Sequence, residues 1–164
     1  MKTIDRDKSV EIINMTNRSV SLEVPHLLIR RYFPRKGARV RMAFEELQQA
    51  FYEPGVEFLF REGILYIEDM EVKQALGLEP EGAETPQNIV ILNDEEKHKA
   101  LTEMSTPDFK KLFDSLTMEQ KLDMADYAIY NKLTNYTKSE IIRKATQKDI
   151  LAAIRLNEQD AEDV

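Results

Sequence analysis

Val20, Leu22 and Val24 alternate with Ser21 and Glu23, the period of a strand that buries one face. Val10-Glu11-Ile12-Ile13-Asn14 predicts a strand before it, with turn composition at Thr16-Asn17-Arg18-Ser19. Pro25 stops the second strand because it cannot donate a ladder hydrogen bond. Leu27-Leu28-Ile29 leads into Arg30-Arg31-Tyr32-Phe33, and Pro34-Arg35-Lys36-Gly37 supplies a turn. In Arg39-Val40-Arg41-Met42 the arginines share one face and the apolar residues the other. Residues 27–42 therefore predict a hairpin with a cationic outer face. Phe44, Leu47, Gln48 and Phe51 form one stripe of a short helix, ended by Glu53-Pro54-Gly55. Val56, Phe58 and Phe60 then alternate with Glu57 and Leu59, and Ile64-Leu65-Tyr66-Ile67 returns after Arg61-Glu62-Gly63. That pattern predicts a second hairpin. Asp69 caps a short helix through Val72 and Leu76, with Gly77 as its stop. Phe44, Phe51, Phe58 and Phe60 read as core, because aromatic rings at structural spacing bury large areas.

Glu79-Pro80-Glu81-Gly82-Ala83-Glu84-Thr85-Pro86 reads as an exposed linker, and Ile89-Val90-Ile91-Leu92 as an extra short strand. Beyond it, helix-start signals repeat. Asn93 precedes Glu96 by three residues, Thr117 precedes Gln120 and Thr137 precedes Glu140; Thr106-Pro107 and Thr146 with Asp149 add two more. Stripes such as Phe109, Leu112, Phe113 and Leu116 give those helices apolar faces. Such short helices must pack on one another. The expected class is α+β: a small antiparallel β barrel or sandwich with one short helix, followed by a C-terminal bundle of short helices. The expected division is a β-rich module over 1–78, a linker over 79–88, a helical module over 89–157 and an acidic tail over 158–164.

Charge sharpens this picture once it is resolved along the chain. The 164 residues carry 23 Lys and Arg against 30 Asp and Glu, a net charge of -7. Between Glu23 and Glu45, however, there is no acid, while Arg30, Arg31, Arg35, Lys36, Arg39 and Arg41 supply six positive charges. One reading is a solvated hairpin edge protected by its charges. The other is a docking patch for an acidic partner surface or a phosphate backbone.

The chain has no cysteine and only two histidines, His26 and His98. That excludes disulfides and thiolate metal sites, and leaves no histidine-rich cluster. No phosphate-cradling glycine loop or hydrolase motif occurs. The expectation is a protein without catalytic residues, metal or cofactor. No apolar run approaches membrane-spanning length, and the charged start MKTIDRDKSV does not read as a signal peptide. Residues 115–156, with Lys132, Lys138, Arg143, Lys144, Lys148 and Arg155, loosely resemble helix-extended-helix and SAP-like DNA-binding modules. They lack the glycine of those modules, and acids Glu119, Asp123, Asp126 and Asp149 are interleaved with the lysines.

Three stretches carry a further resemblance: Val24-Pro25-His26-Leu27-Leu28-Ile29-Arg30-Arg31, Glu53-Pro54-Gly55-Val56-Glu57 and Glu62-Gly63-Ile64-Leu65-Tyr66-Ile67-Glu68-Asp69. Together they resemble small uncharacterised proteins of tailed bacteriophages. The resemblance implies a non-enzymatic accessory component of a phage particle, associated with capsid or connector and located in the virion or the host cytoplasm. Its partners would be acidic surfaces of other protein subunits, with self-association or assembly in the virion, and no membrane. The resemblance itself carries no functional residues; the docking residues expected from the charge pattern are Arg30, Arg31, Arg35, Lys36, Arg39 and Arg41. The alternative is a small nucleic-acid-binding or regulatory protein using the same patch and the C-terminal helices.

Overall fold

The computed structural model describes residues 3–163 and has an α+β architecture that divides into two units, Met1–Val90 and Ile91–Val164. In the first unit, β1 (Ser9–Asn14) is the central strand of a three-stranded antiparallel sheet, between β4 (Arg39–Ala43) and β5 (Leu65–Tyr66). Its register sets Val10 opposite Met42 and Glu11 opposite Arg41. A second sheet contains only β2 (Val20–Val24) and β3 (Ile29–Phe33), paired with Leu22 opposite Arg31 and Glu23 opposite Arg30. Three short helices, α1 (Phe44–Ala50), α2 (Pro54–Arg61) and α3 (Met70–Ala75), complete the unit. Ile12, Leu22, Phe33, Leu47, Leu65 and Val72 lie fully buried in its core. Burial of each such side chain contributes about 1.5–3 kcal/mol.

Three expectations are corrected. The hairpin over 27–42 does not form, because its two strands belong to different sheets: β3 pairs with β2, and β4 with β1. The cause lies at Asn14. Its backbone carbonyl accepts from Gly37 N–H at 2.8 Å and its N–H donates to the Ala38 carbonyl at 3.0 Å, which steers the turn onto β1. Gly37 makes that approach in the left-handed region, φ 78°, where a side chain would be strained.

The hairpin over 56–67 is replaced by α2, Gly63 and the two-residue β5. Val56 and Phe60 are four residues apart, which is two repeats of the alternating pattern and also about one helical turn, so both periods fit the same residues. Pro54 in the first turn and the Glu57–Arg61 ion pair at 2.5 Å favour the helix. Phe58 consequently leaves the core and stands 56% exposed. Phe44 and Phe60 stay buried, and Phe51, partly buried, packs 5.7 Å from the Phe60 ring.

Residues 89–92 form no strand. The segment before them is irregular yet pinned. The buried Glu79 carboxylate accepts from the backbone N–H groups of Gln87 and Asn88 at 3.0 and 3.2 Å, and Gln74 donates to the carbonyls of Pro80 and Ala83. It belongs to the first unit.

The second unit consists of α4 (Asp94–Thr102), α5 (Thr106–Ser115), α6 (Met118–Tyr130), α7 (Tyr136–Thr146) and α8 (Ile150–Glu162). Asn93 and Thr117 cap as expected, Thr117 in a full capping box. Ser105, Asn135 and Asp149 cap the others, one to three residues from the expected positions. The acidic stretch from Glu158 is helical through Glu162. Phe109 and Phe113 stack at 5.6 Å over a core with Met124, Ala128, Ile142 and Ile150.

Candidate functional site

Alternation along β3 sends Arg30 and Tyr32 outward and Arg31 to the opposite face. Arg30 Nε lies 3.1 Å from Glu23 Oε1. Arg31 reaches α1, 2.7 Å from Glu46 Oε2. On the other sheet Arg39 pairs with Glu11 and, at 3.6 Å, with Glu68, while Arg41 lies 3.4 Å from the same Glu11. The turn between the sheets carries Arg35 and Lys36; Arg35 forms no ion pair among the described residues. The six cations are thus brought near one turn but not onto one face.

The acids that hold them come from elements the charge pattern treated separately. Glu11 stands on the same face of β1 as the arginines of β4. Lys8 bridges to Asp69 at 2.7 Å and Glu71 at 3.2 Å, extending the charged lattice to the start of α3. Asp69 also caps that helix by accepting from Val72 N–H at 3.2 Å. Hydrogen bonding from Arg39 holds the Glu11 carboxyl below its ordinary value of 4.5. At Asp69 partial burial pushes upward, yet the Lys8 hydrogen bond and the Val72 N–H outweigh it and the value falls below 3.8. The signal for this lattice was present as the outward position of Glu11 in an alternating strand, opposite an equally alternating Arg39-Val40-Arg41.

Lys138, one of the candidate phosphate-binding lysines, is buried instead. Its ammonium donates to the carbonyls of Ala100 at 3.0 Å, Leu101 at 3.2 Å and Met104, which closes the end of α4. Lys132, Arg143 and Lys148 pair with Glu158, Glu140 and Asp126. His26 is exposed, 3.3 Å from Glu53, and His98 Nδ1 lies 3.2 Å from the Tyr127 hydroxyl. No cluster of three or more His, Asp or Glu suited to a metal occurs among the described residues. No helix among them is long and apolar enough to cross a membrane.

No protein-family model matches the chain, and no curated protein and no solved structure matches it significantly.

Proposed function

We propose that this chain is a non-enzymatic interaction protein, an accessory component of a phage particle that docks onto a net acidic protein surface through the arginines of β3, β4 and the turn between them. The phage assignment rests on the resemblance of residues 24–31, 53–57 and 62–69. The docking assignment rests on one observation: Arg30, Arg31, Arg39 and Arg41 are each held in place by a glutamate of their own unit. Arg30 and Arg41 nevertheless keep 79% and 70% of their side chains exposed. A held arginine loses less rotamer freedom on binding. Tyr32, exposed beside Arg30, adds a rigid aromatic contact, and arginine with tyrosine is the composition enriched at protein interfaces.

Glu11, Glu23, Glu46 and Glu68 offset part of the patch's positive potential toward a nucleic-acid backbone and an acidic protein surface alike, so the choice of a protein partner rests on the arginine-with-tyrosine composition rather than on charge alone. A salt series of duplex-DNA binding tests this directly. The proposal expects no binding, or weak binding that changes little with salt. Tight binding that falls steeply as salt rises would assign the patch to phosphates instead.

A further inference from the structure

Lys73, on α3, is only 3% exposed, and its ammonium is poorly served. Of its three donors, one reaches the Tyr66 hydroxyl at 3.1 Å, and the nitrogen stands 4.8 Å from the centre of that ring. It forms no ion pair among the described residues. A buried cation without a carboxylate is costly, and one that retains spare donors points to an anion it meets in another state.

Lys73, Tyr66 and Glu79 line one cavity together with apolar Phe60, Ile67 and Ile89. At about 10 Å³ it has room for one water-sized occupant, so a larger one enters only if the wall moves. Two of the lining residues, Glu79 and Ile89, bracket residues 80–88, so the ends of that segment form part of the wall. None of residues 80–88 is itself buried. Hydrogen bonds hold them: the Glu79 carboxylate accepts from Gln87 and Asn88, Gln74 donates to Pro80 and Ala83, and Asn88 Nδ2 donates to the Leu78 carbonyl at 2.7 Å. A segment that buries no side chains opens at less cost than the sheet beneath it. Release of Glu79 frees Gln87 and Asn88 together and removes the carboxylate from the cavity wall.

We infer that residues 79–88 are a strap latched by Glu79, and that its opening presents Lys73 and Tyr66 as a site for a small monocarboxylate with a short apolar chain. One ammonium offsets one negative charge, and the Tyr66 hydroxyl is free to donate to a carboxylate oxygen. Phe60 and Ile67 suit the apolar chain. In the closed strap the carboxylate in the wall is that of Glu79, which is both the latch and the competitor. The site shares no residue with the arginine surface and stands or falls independently of the docking role.

Hydrogen exchange of the Gln87 and Asn88 amides tests it at fixed pH, with butyrate as the probe and n-butanol as its uncharged counterpart. In the wild type butyrate is expected to speed exchange of both amides to a plateau, because a ligand of the open state shifts the population toward it, while n-butanol has no effect and the amides of β1 are unchanged. Glu79→Gln weakens the latch. Without probe its two amides are expected to exchange roughly tenfold faster or more, and the butyrate concentration for half the effect falls by a like factor. Lys73→Met keeps the apolar stem and removes the cation, so the response to butyrate is lost. No response to butyrate in either the wild type or Glu79→Gln overturns the inference, and so does an equal response to n-butanol, which would leave an apolar hole without an anion site. Faster exchange in β1 alongside the strap also overturns it, since the cavity would then open only by unfolding of the unit.

Discussion

Asn14 shows how one buried amide decides which strands pair. Its Nδ2 donates to the carbonyls of Arg18 at 2.8 Å and Phe33 at 3.4 Å, and its Oδ1 accepts from the N–H and hydroxyl of Thr16, both at 2.9 Å. It therefore ties β1 to the turn after it and to the end of β3. Nothing in the strand pattern marks this residue, because alternation records apolar burial and not the turn contacts to Thr16 and Arg18, and the Phe33 carbonyl is brought close only by the finished fold. Asn14→Ala leaves those groups buried without partners and is expected to lower stability by about 2–4 kcal/mol, read as a drop in thermal midpoint. Lys138 has the same character in the second unit. Lys138→Met keeps the buried stem but strips the donors from the end of α4. The expected loss is about 2–3 kcal/mol, and helical signal should melt earlier on heating.

At the scale of elements, β1, β2, α1 and the caps at Asn93 and Thr117 were legible because each has a single period or a local side-chain signature. The segment from Val56 to Phe60 was not, since its apolar spacing satisfies a strand and a helix together. Phe58 separates the two outcomes. In a strand it would share a face with Val56 and Phe60, whereas in α2 it faces solvent, so Phe58→Ser is expected to change stability by no more than about 0.5 kcal/mol in denaturant unfolding. β3 was misassigned to β4 because Pro34-Arg35-Lys36-Gly37 has the composition of a hairpin turn, whereas Pro25–Leu28, which makes the real connection, reads as the end of a strand followed by an apolar run. The docking arginines were legible as charges; their glutamate partners were not, because pairing across strands depends on register.

That lattice also has a pH signature. Glu11 and Asp69 have folded-state pKa values held below their ordinary ones of 4.5 and 3.8. A depressed carboxyl contributes stability that is present above its unfolded value and lost as pH falls through its folded value. The thermal midpoint of the first unit is therefore expected to hold steady from neutral pH and to fall only within the carboxylate range. Lys8→Met removes one partner of Asp69 and should flatten part of that fall. An unchanged acid profile in the variant would mean that the Lys8–Asp69 pair contributes nothing to folding.

For the whole molecule, two apolar clusters sit in two separate stretches of chain, one before Val90 and one after. Each has its own helix caps or sheet ladder, so residues 91–164 expressed alone are expected to show a helical spectrum and cooperative melting. The proposed role of this molecule is an exterior one, carried by arginines that neighbouring glutamates hold in place. Co-sedimentation of purified protein with particles of the tailed phage it is proposed to belong to tests that role most directly, comparing wild type with Arg30→Ala/Arg41→Ala. Both side chains are largely exposed, so circular dichroism should be unchanged. The prediction is that wild type pellets with the particles and the variant stays in the supernatant; equal pelleting of the two, or none by either, would contradict it.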